Sequence, residues 1–322
     1  MFNTGATPQP LSPTVSIDSI EDNAIAPSQH SPTIPSSSAS LAAYLVDPSL
    51  FTYTSAIHTI LVLLYVNDIV LIKDSLVVLT ALIQDLSRRF AMKDLGDLHY
   101  FLGIEVQRSC TGLFLSQQKY ASDLLTKALM HQSKPIATPL PSKLQDWHGS
   151  LPYYNPTFYR NLVGGLQYLT LTHPDLTLAV NLVSQHMSSP TVVDFAHLKP
   201  IIRYLAGSLD RGIRILAFSL LQLYAFSDVD WAGCKDTRRS TTGYCVFLGS
   251  NCVSWSAKKQ PTVAHSFVEA EYCALASTST ELTWIFLMLR DIGFSQPHPA
   301  ILFSDNVSSL HLTMNHVFHA RT

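Results

Sequence analysis

Apolar and polar positions alternate with different periods along the chain, and the periods mark out its elements. The runs Phe51–Thr54, Ile60–Tyr65 and Ile69–Ile72 are short and rich in β-branched and aromatic residues, which predicts strands. The step Val66-Asn67-Asp68 between the last two predicts a hairpin turn. Leu76–Phe90 repeats its apolar positions at helical spacing. A second hairpin is expected from Tyr100–Val106 and Leu113–Leu115, joined by the polar stretch Arg108–Gly112. Gln118–Met130 reads as a helix ended by Pro135, Pro139 and Pro141. A helix-rich block runs from Pro156 to Leu205. Pro200 is expected to break or kink its last helix, at a cost of about 3 kcal/mol if that helix stays straight.

The last third changes rhythm. Strands are predicted at Leu223–Ser227, Gly243–Leu248 and Cys252–Ser256, the last two joined by Gly249-Ser250-Asn251. A long helix follows over Ser266–Arg290, then a strand at Ile301–Ser304 and a short helix from Asn306. Three hairpin-linked strands, a crossover helix and a further strand predict a mixed sheet with helices packed on it, an α/β fold.

Composition adds one element. Residues 1–43 hold nine Ser and six Pro. So little apolar surface and so many helix breakers predict a disordered, linker-like segment. The 322 residues, 47% of them hydrophobic, are enough for one large or two ordinary cores. Charge nearly balances, 21 basic against 23 acidic residues. That argues against a nucleic-acid binder working by bulk charge, and leaves room for a local basic patch. Five scattered cysteines without a Cys-x-x-Cys pair fit a reducing compartment. Met1–Pro10 shows no secretion signal, and the apolar stretch Ile60–Ile72 is too short to span a membrane. The expectation is an intracellular protein, cytoplasmic or nuclear, with no membrane partner.

Three carboxylates stand out. Asp228 and Asp305 each follow an apolar strand. Glu271 lies in the first turns of the long helix, within about 60° of Val268, Leu275, Leu282, Phe286 and Leu289 on a helical wheel. It therefore sits mid-stripe, while Glu269 points about 160° away. A lone carboxylate on a buried face costs several kcal/mol unless paired or bound to metal. Two readings stand side by side: a solvated loop residue, a helix-start residue and a helix cap, or three oxygen ligands converging on Mg²⁺. Lys235, Arg238, Arg239, Lys258 and Lys259 form a basic cluster on the neighbouring loop and hairpin. It reads either as a phosphate track or as a charged hairpin edge. Trp231 and Trp255 either stack on bases or fill the core, and core is the expectation for both. His316 and His319 stand at i, i+3 with His311 near, but no Cys or third ligand has matching zinc-like spacing.

From Asp47 onward the chain resembles the Pol polyprotein of copia-type long-terminal-repeat retrotransposons. The resemblance rests on many ordered stretches. Among them are Tyr65-Val66-Asn67-Asp68, Met92-Lys93-Asp94-Leu95-Gly96, Tyr100-Phe101-Leu102-Gly103-Ile104-Glu105-Val106 and His173-Pro174-Asp175. Ser227-Asp228-Val229-Asp230-Trp231, Ser254-Trp255-Ser256-Ala257-Lys258-Lys259-Gln260, Glu269-Ala270-Glu271-Tyr272 and Ser304-Asp305-Asn306 continue it. The resemblance implies a reverse-transcriptase palm remnant over 44–135, a helical thumb or connection over 136–216 and a C-terminally truncated ribonuclease H-like domain over 217–322. It implies two reactions, RNA-directed DNA synthesis and hydrolysis of RNA in an RNA·DNA hybrid. Asp228, Glu271 and Asp305 match the ribonuclease H carboxylates, which use two Mg²⁺ ions. Asp68 belongs to the polymerase's metal-binding turn, where Asn67 replaces the first carboxylate. The expected partners are nucleic acid, RNA·DNA hybrid above all, and intact Pol subunits.

Several departures bear on activity. An amide at Asn67 is a weak Mg²⁺ ligand. The family's upstream palm carboxylate and its fourth ribonuclease H carboxylate have no counterpart between Met1 and Thr322. The expectation is an inactive polymerase with residual Mg²⁺-dependent hydrolysis, or else an inert nucleic-acid-binding or interaction fragment.

Overall fold

The computed structural model describes residues 14–18, 40–43, 49–54, 59–66, 68–73, 76–90, 92–141 and 150–314. Asn67, His316, His319 and most of the Ser/Pro-rich segment lie outside these residues. The chain divides into two compact units, Met1–Leu102 with Leu287–Ser295, and Gly103–Phe286 with Gln296–Thr322.

The first unit holds β1 (Thr14–Asp18), β2 (Ser40–Ala43), β3 (Leu50–Thr54), β4 (Thr59–Tyr65), β5 (Asp68–Lys73), α1 (Leu76–Arg89), β6 (Lys93–Asp97) and β7 (Tyr100–Phe101). Six of the strands form one sheet in the order β2-β3-β4-β5-β1-β6. β4 and β5 pair antiparallel with Tyr65 opposite Asp68, as expected of a hairpin, and Val66 follows β4 at φ +50°. Leu71 of β5 and Leu79 and Ile83 of α1 make the buried core, each side chain contributing roughly 2 kcal/mol. Two strands fall in the segment expected to be a linker. Thr14–Asp18 alternates polar and apolar residues, and it fits between β5 and β6 as an antiparallel partner to both.

The second unit continues with β8 (Ile104–Ser109), β9 (Gly112–Ser116), α2 (Gln118–Lys127), α3 (Pro156–Leu169), a 3-10 turn (Pro174–Leu176), α4 (Thr177–Ser184), α5 (Val192–Ala206) and β10 (Gly212–Leu216). It ends with β11 (Leu223–Asp230), β12 (Thr241–Leu248), β13 (Asn251–Lys259), α6 (Phe267–Asp291, of which the residues from Leu287 onward are counted with the first unit), β14 (Ile301–Phe303) and α7 (Val307–Met314). α2, α3, α4 and α5 share one core, in which Tyr159, Leu162, Leu166, Leu176, Leu198 and Ile201 are fully buried. α5 starts at a capping box, Thr191 to Asp194, and runs without interruption through Pro200. The expected break is absent because Leu198, Ile201, Ile202 and Leu205 are all buried on the shared core.

β10 pairs antiparallel with β9, nearly a hundred residues upstream. That pairing, and the bond from Trp255 Nε1 to the Thr170 carbonyl (2.7 Å), tie together stretches far apart in sequence. Both contacts lie within the second compact unit.

The last sheet has the order β13-β12-β11-β14. β11 is antiparallel to β12 and parallel to β14, with Phe226 opposite Phe303. This is the mixed sheet that the β-β-β-α-β-α order predicts. Leu223, Ala225, Ser227 and Val229 are buried on one face of β11, while Phe226, Asp228 and Asp230 are exposed on the other. α6 covers the buried face, with the Thr278 and Ser227 hydroxyls 3.0 Å apart and Ser254 Oγ donating to Glu281 (2.7 Å). Among the described residues no helix is long and apolar enough to cross a membrane.

A candidate metal centre

The site is built from three elements of the second unit. Strand β11 carries Asp228 near its end, where the backbone N–H of Val229 donates to Asp228 Oδ1 at 2.7 Å. Asp305 stands two residues beyond β14, just ahead of Asn306, whose side chain accepts from the backbone N–H of Ser309 in the first turn of α7 (2.9 Å). Parallel pairing of β11 with β14 brings these two strand ends together.

Glu271 comes from the first turns of α6. Two devices hold that helix start. Ser266 Oγ accepts from the backbone N–H of Glu269 (3.1 Å), and the Glu269 carboxylate accepts from the backbone N–H of His265 (2.6 Å). The pattern is close to a capping box. Glu269, which the helical wheel turns about 160° from Glu271, is thus a half-buried cap. The second device is Gln260, buried at the end of β13, which donates to the Ala270 carbonyl (2.9 Å) and to Thr242 Oγ1 (3.1 Å). Sequence reasoning missed Gln260 as a positioning group. Its signal was a polar residue closing an otherwise strand-like motif.

One ligand oxygen from each of Asp228, Glu271 and Asp305 lies within 4.8 Å of the others. Asp228 and Asp305 are exposed, and Glu271 is fully buried. Neither Glu271 oxygen has a hydrogen-bond donor among the described residues. Burial, then the charges of Asp228 and Asp305, push its carboxyl up to about 7. A buried, undonated carboxylate facing two more is stable only with a proton or a cation between them. Three hard oxygen donors converging on one point fit a hard divalent ion such as Mg²⁺, which keeps water in its remaining positions. Asp230 lies outside this group. Its carboxylate turns to Gly233, where an added Cβ would meet Oδ2 at 1.8 Å. Asp68, half-buried at the start of β5, lies in the first unit.

The basic residues divide. Lys235, Arg238, Arg239 and Lys258 are exposed, and Arg238 holds φ +54° in the β11–β12 loop. Lys259 points to the other face, where its Nζ contacts Cys234 Sγ (2.8 Å) and donates to Gln185 Oε1 (2.9 Å). Burial raises the Cys234 thiol, but the bonds from Lys259 and Thr237 prevail and bring it down to about 7. Trp231 is 45% exposed with an edge contact to Phe267, so the core expectation for it is corrected. A loop position past the strand end offered it no second layer to pack into. Trp255 is half-buried. It forms one wall of a cleft of about 310 Å³ that Asp228, Tyr244 and Thr177 also line.

The family described as reverse transcriptase (RNA-dependent DNA polymerase) matches residues 45–142. The chain is 54% identical over 222 residues to the uncharacterized mitochondrial protein AtMg00810 of Arabidopsis thaliana, covering 69% of this chain and 92% of that protein. It is 45% identical over 276 residues to the retrovirus-related Pol polyprotein from transposon RE2 of the same plant, covering 85% of this chain. With the Pol polyprotein from transposon TNT 1-94 of Nicotiana tabacum, identity is 33% over 287 residues. The chain belongs to the copia-type retrotransposon Pol family and is a reverse-transcriptase-like part of such a polyprotein. It spans 19% of the RE2 polyprotein and 22% of the TNT 1-94 polyprotein. A solved foamy viral protease–reverse transcriptase in complex with double-stranded DNA aligns at TM-score 0.42 and 12% identity, over 79% of this chain and 48% of that one.

Proposed function

We propose that the second unit carries a ribonuclease H-like site that hydrolyses RNA in an RNA·DNA hybrid with Mg²⁺. The observation that carries this is the fully buried Glu271, undonated and grouped with Asp228 and Asp305 within 4.8 Å. A buried carboxylate beside two others needs a proton or a cation to offset the repulsion, and a cation is the reading proposed.

Asp228, Glu271 and Asp305 would hold the ion. When bound, such an ion supplies the positive charge that acidifies water and neutralises a phosphate. The chain's own residues do the rest. Gln260 and the Ser266–Glu269 cap fix where Glu271 stands. Exposed Asp228 and Asp305 leave the open side of the site to the substrate. Lys235, Arg238, Arg239 and Lys258 offer phosphate contacts along the hybrid.

The first unit, in this reading, is a palm remnant without polymerase activity. Asp68 remains, but residue 67 is Asn, a neutral ligand where the family has a carboxylate. Restoring Asp at position 67 should not restore primer extension.

The test is a labelled RNA·DNA hybrid incubated with the purified chain and Mg²⁺, beside Asp228→Asn. Cleavage by the parent and not by the variant is expected. If a folded parent binds the hybrid equally with and without Mg²⁺ and leaves it intact, the protein is a passive nucleic-acid binder and the enzyme reading falls.

A further inference from the structure

All five cysteines are free, and nothing in their spacing pairs them. The fold does. β12 and β13 pair antiparallel with Cys245 opposite Trp255 and Val246 opposite Ser254. Strict alternation would next set Phe247 opposite Val253 and turn Cys252 to the face covered by α6. Instead the register shifts between Val246 and Phe247, and Phe247 stands opposite Cys252. The extra residue, Val253, is a β-bulge. Its effect is to return Cys252 to the face that carries Phe247, and hence Cys245 two residues before it. Two thiols on adjacent strands, one step apart on the diagonal, then share one face.

Their surroundings agree. Both are half-buried. Cys245 lines the cleft beside Asp228, and Cys252 lines the neighbouring one beside Thr170 and Leu171, with Trp255 between the two. Small reagents therefore have a way to each sulfur. The thiols also sense each other, since contact with Cys252 favours the Cys245 thiolate while Cys252 holds its proton more tightly.

We propose that Cys245 and Cys252 form a redox-active dithiol, a modification site at which a small disulfide oxidant of the glutathione type closes a cross-strand disulfide between β12 and β13. The Cys245 thiolate attacks one sulfur of the oxidant and expels a thiolate. Cys252, losing its proton to water, then attacks the Cys245 sulfur of that mixed disulfide and expels the second thiolate. The two cysteines give up two protons and two electrons, and the oxidant is reduced to two thiols. The link acts on the strand whose Trp255 is bonded to Thr170.

The experiment uses the full chain with its native cysteines. It is incubated with glutathione disulfide, alkylated without reduction, and digested for peptide mass mapping. A Cys245–Cys252 link is expected in at least about tenfold excess over any other pairing, because proximity acts as a high effective concentration. Cys245→Ser and Cys252→Ser should each lose the link and leave a glutathione adduct on the remaining partner. In urea the excess should fall to the few-fold bias that loop length alone gives the most closely spaced pair among Cys110, Cys234, Cys245, Cys252 and Cys273. A parent with a cooperative melt that forms no such link, or pairs these two no more often than the others, overturns the proposal.

Discussion

Replacing Glu271 by Gln keeps the shape of the side chain and removes a charge that burial and two neighbouring carboxylates oppose. In metal-free buffer at neutral pH the variant should be the more stable, by on the order of 1 kcal/mol, since relief of repulsion outweighs the undonated amide. Adding Mg²⁺ should raise the parent's melting temperature and leave the variant's unchanged. Calorimetric melts with and without Mg²⁺ check both halves, and a metal-free variant that melts well below the parent would mean the carboxylate has a protein partner. Asp175 is a contrasting case. Burial raises its carboxyl, but the His173 imidazole at 3.7 Å and the Tyr204 hydroxyl more than offset that and hold it at about 2. Arg211 adds a contact at 3.5 Å and donates to Tyr204 at 2.5 Å. A carboxyl depressed from 3.8 to about 2 contributes stability above pH 3.8 and loses it as pH falls through about 2. Asp175 is 35% exposed and Arg211 57%, so solvent screening reduces the contribution to about 1 kcal/mol. Asp175→Asn should cost that much at pH 7 and almost nothing at pH 2, measured by denaturant titration.

The α5 helix shows how an element survives a residue unsuited to it. Pro200 gives up one backbone hydrogen bond inside a helix whose far half is still buried. Packing of that face outweighs the local penalty, so Pro200→Ala should stabilise the chain by about 1–3 kcal/mol. Thr191→Ala should do the opposite. It removes the capping hydroxyl and leaves the buried Asp194 carboxylate without its 2.7 Å donor, at about 1–2 kcal/mol. Thermal melts of the two variants, shifted in opposite directions, would separate packing from capping. Such contests also explain which elements can be read from sequence. α6 and the place of Glu271 on its buried face follow from a helical period sustained over a helix of twenty-five residues. The mixed sheet follows from the order of strands and crossover helix. β6, Lys-Asp-Leu-Gly-Asp, has every residue exposed and no apolar alternation to betray it. β10 does alternate, but its partner β9 lies too far upstream for local pattern to connect them. The bulge that turns Cys252 round is likewise invisible until the register is known.

For the molecule as a whole, a net charge of −2 cannot hold a polyanion, and nucleic-acid binding must come from a local surface. The proposed surface consists of Lys235, Arg238, Arg239 and Lys258, all exposed. Lys259, adjacent in sequence, is occupied by Cys234 and Gln185 on the opposite face of the sheet. Period-two geometry thus separates two neighbouring lysines into one that can meet phosphate and one that ties the strand to the end of α4. The difference is measurable. Each phosphate deprived of its cationic side chain should reduce the slope of log affinity against log salt by about 1. Arg238→Ala combined with Arg239→Ala should therefore flatten the slope for an RNA·DNA hybrid by about 2, while leaving the melting temperature nearly unchanged. Lys259→Ala should lower the melting temperature and leave the slope as it was. Fluorescence anisotropy over a salt series gives the slopes. A double variant with the parent's slope would move the nucleic-acid path off this loop. A flattened slope in Lys259→Ala would mean that the lysine leaves Cys234 and Gln185 when nucleic acid arrives.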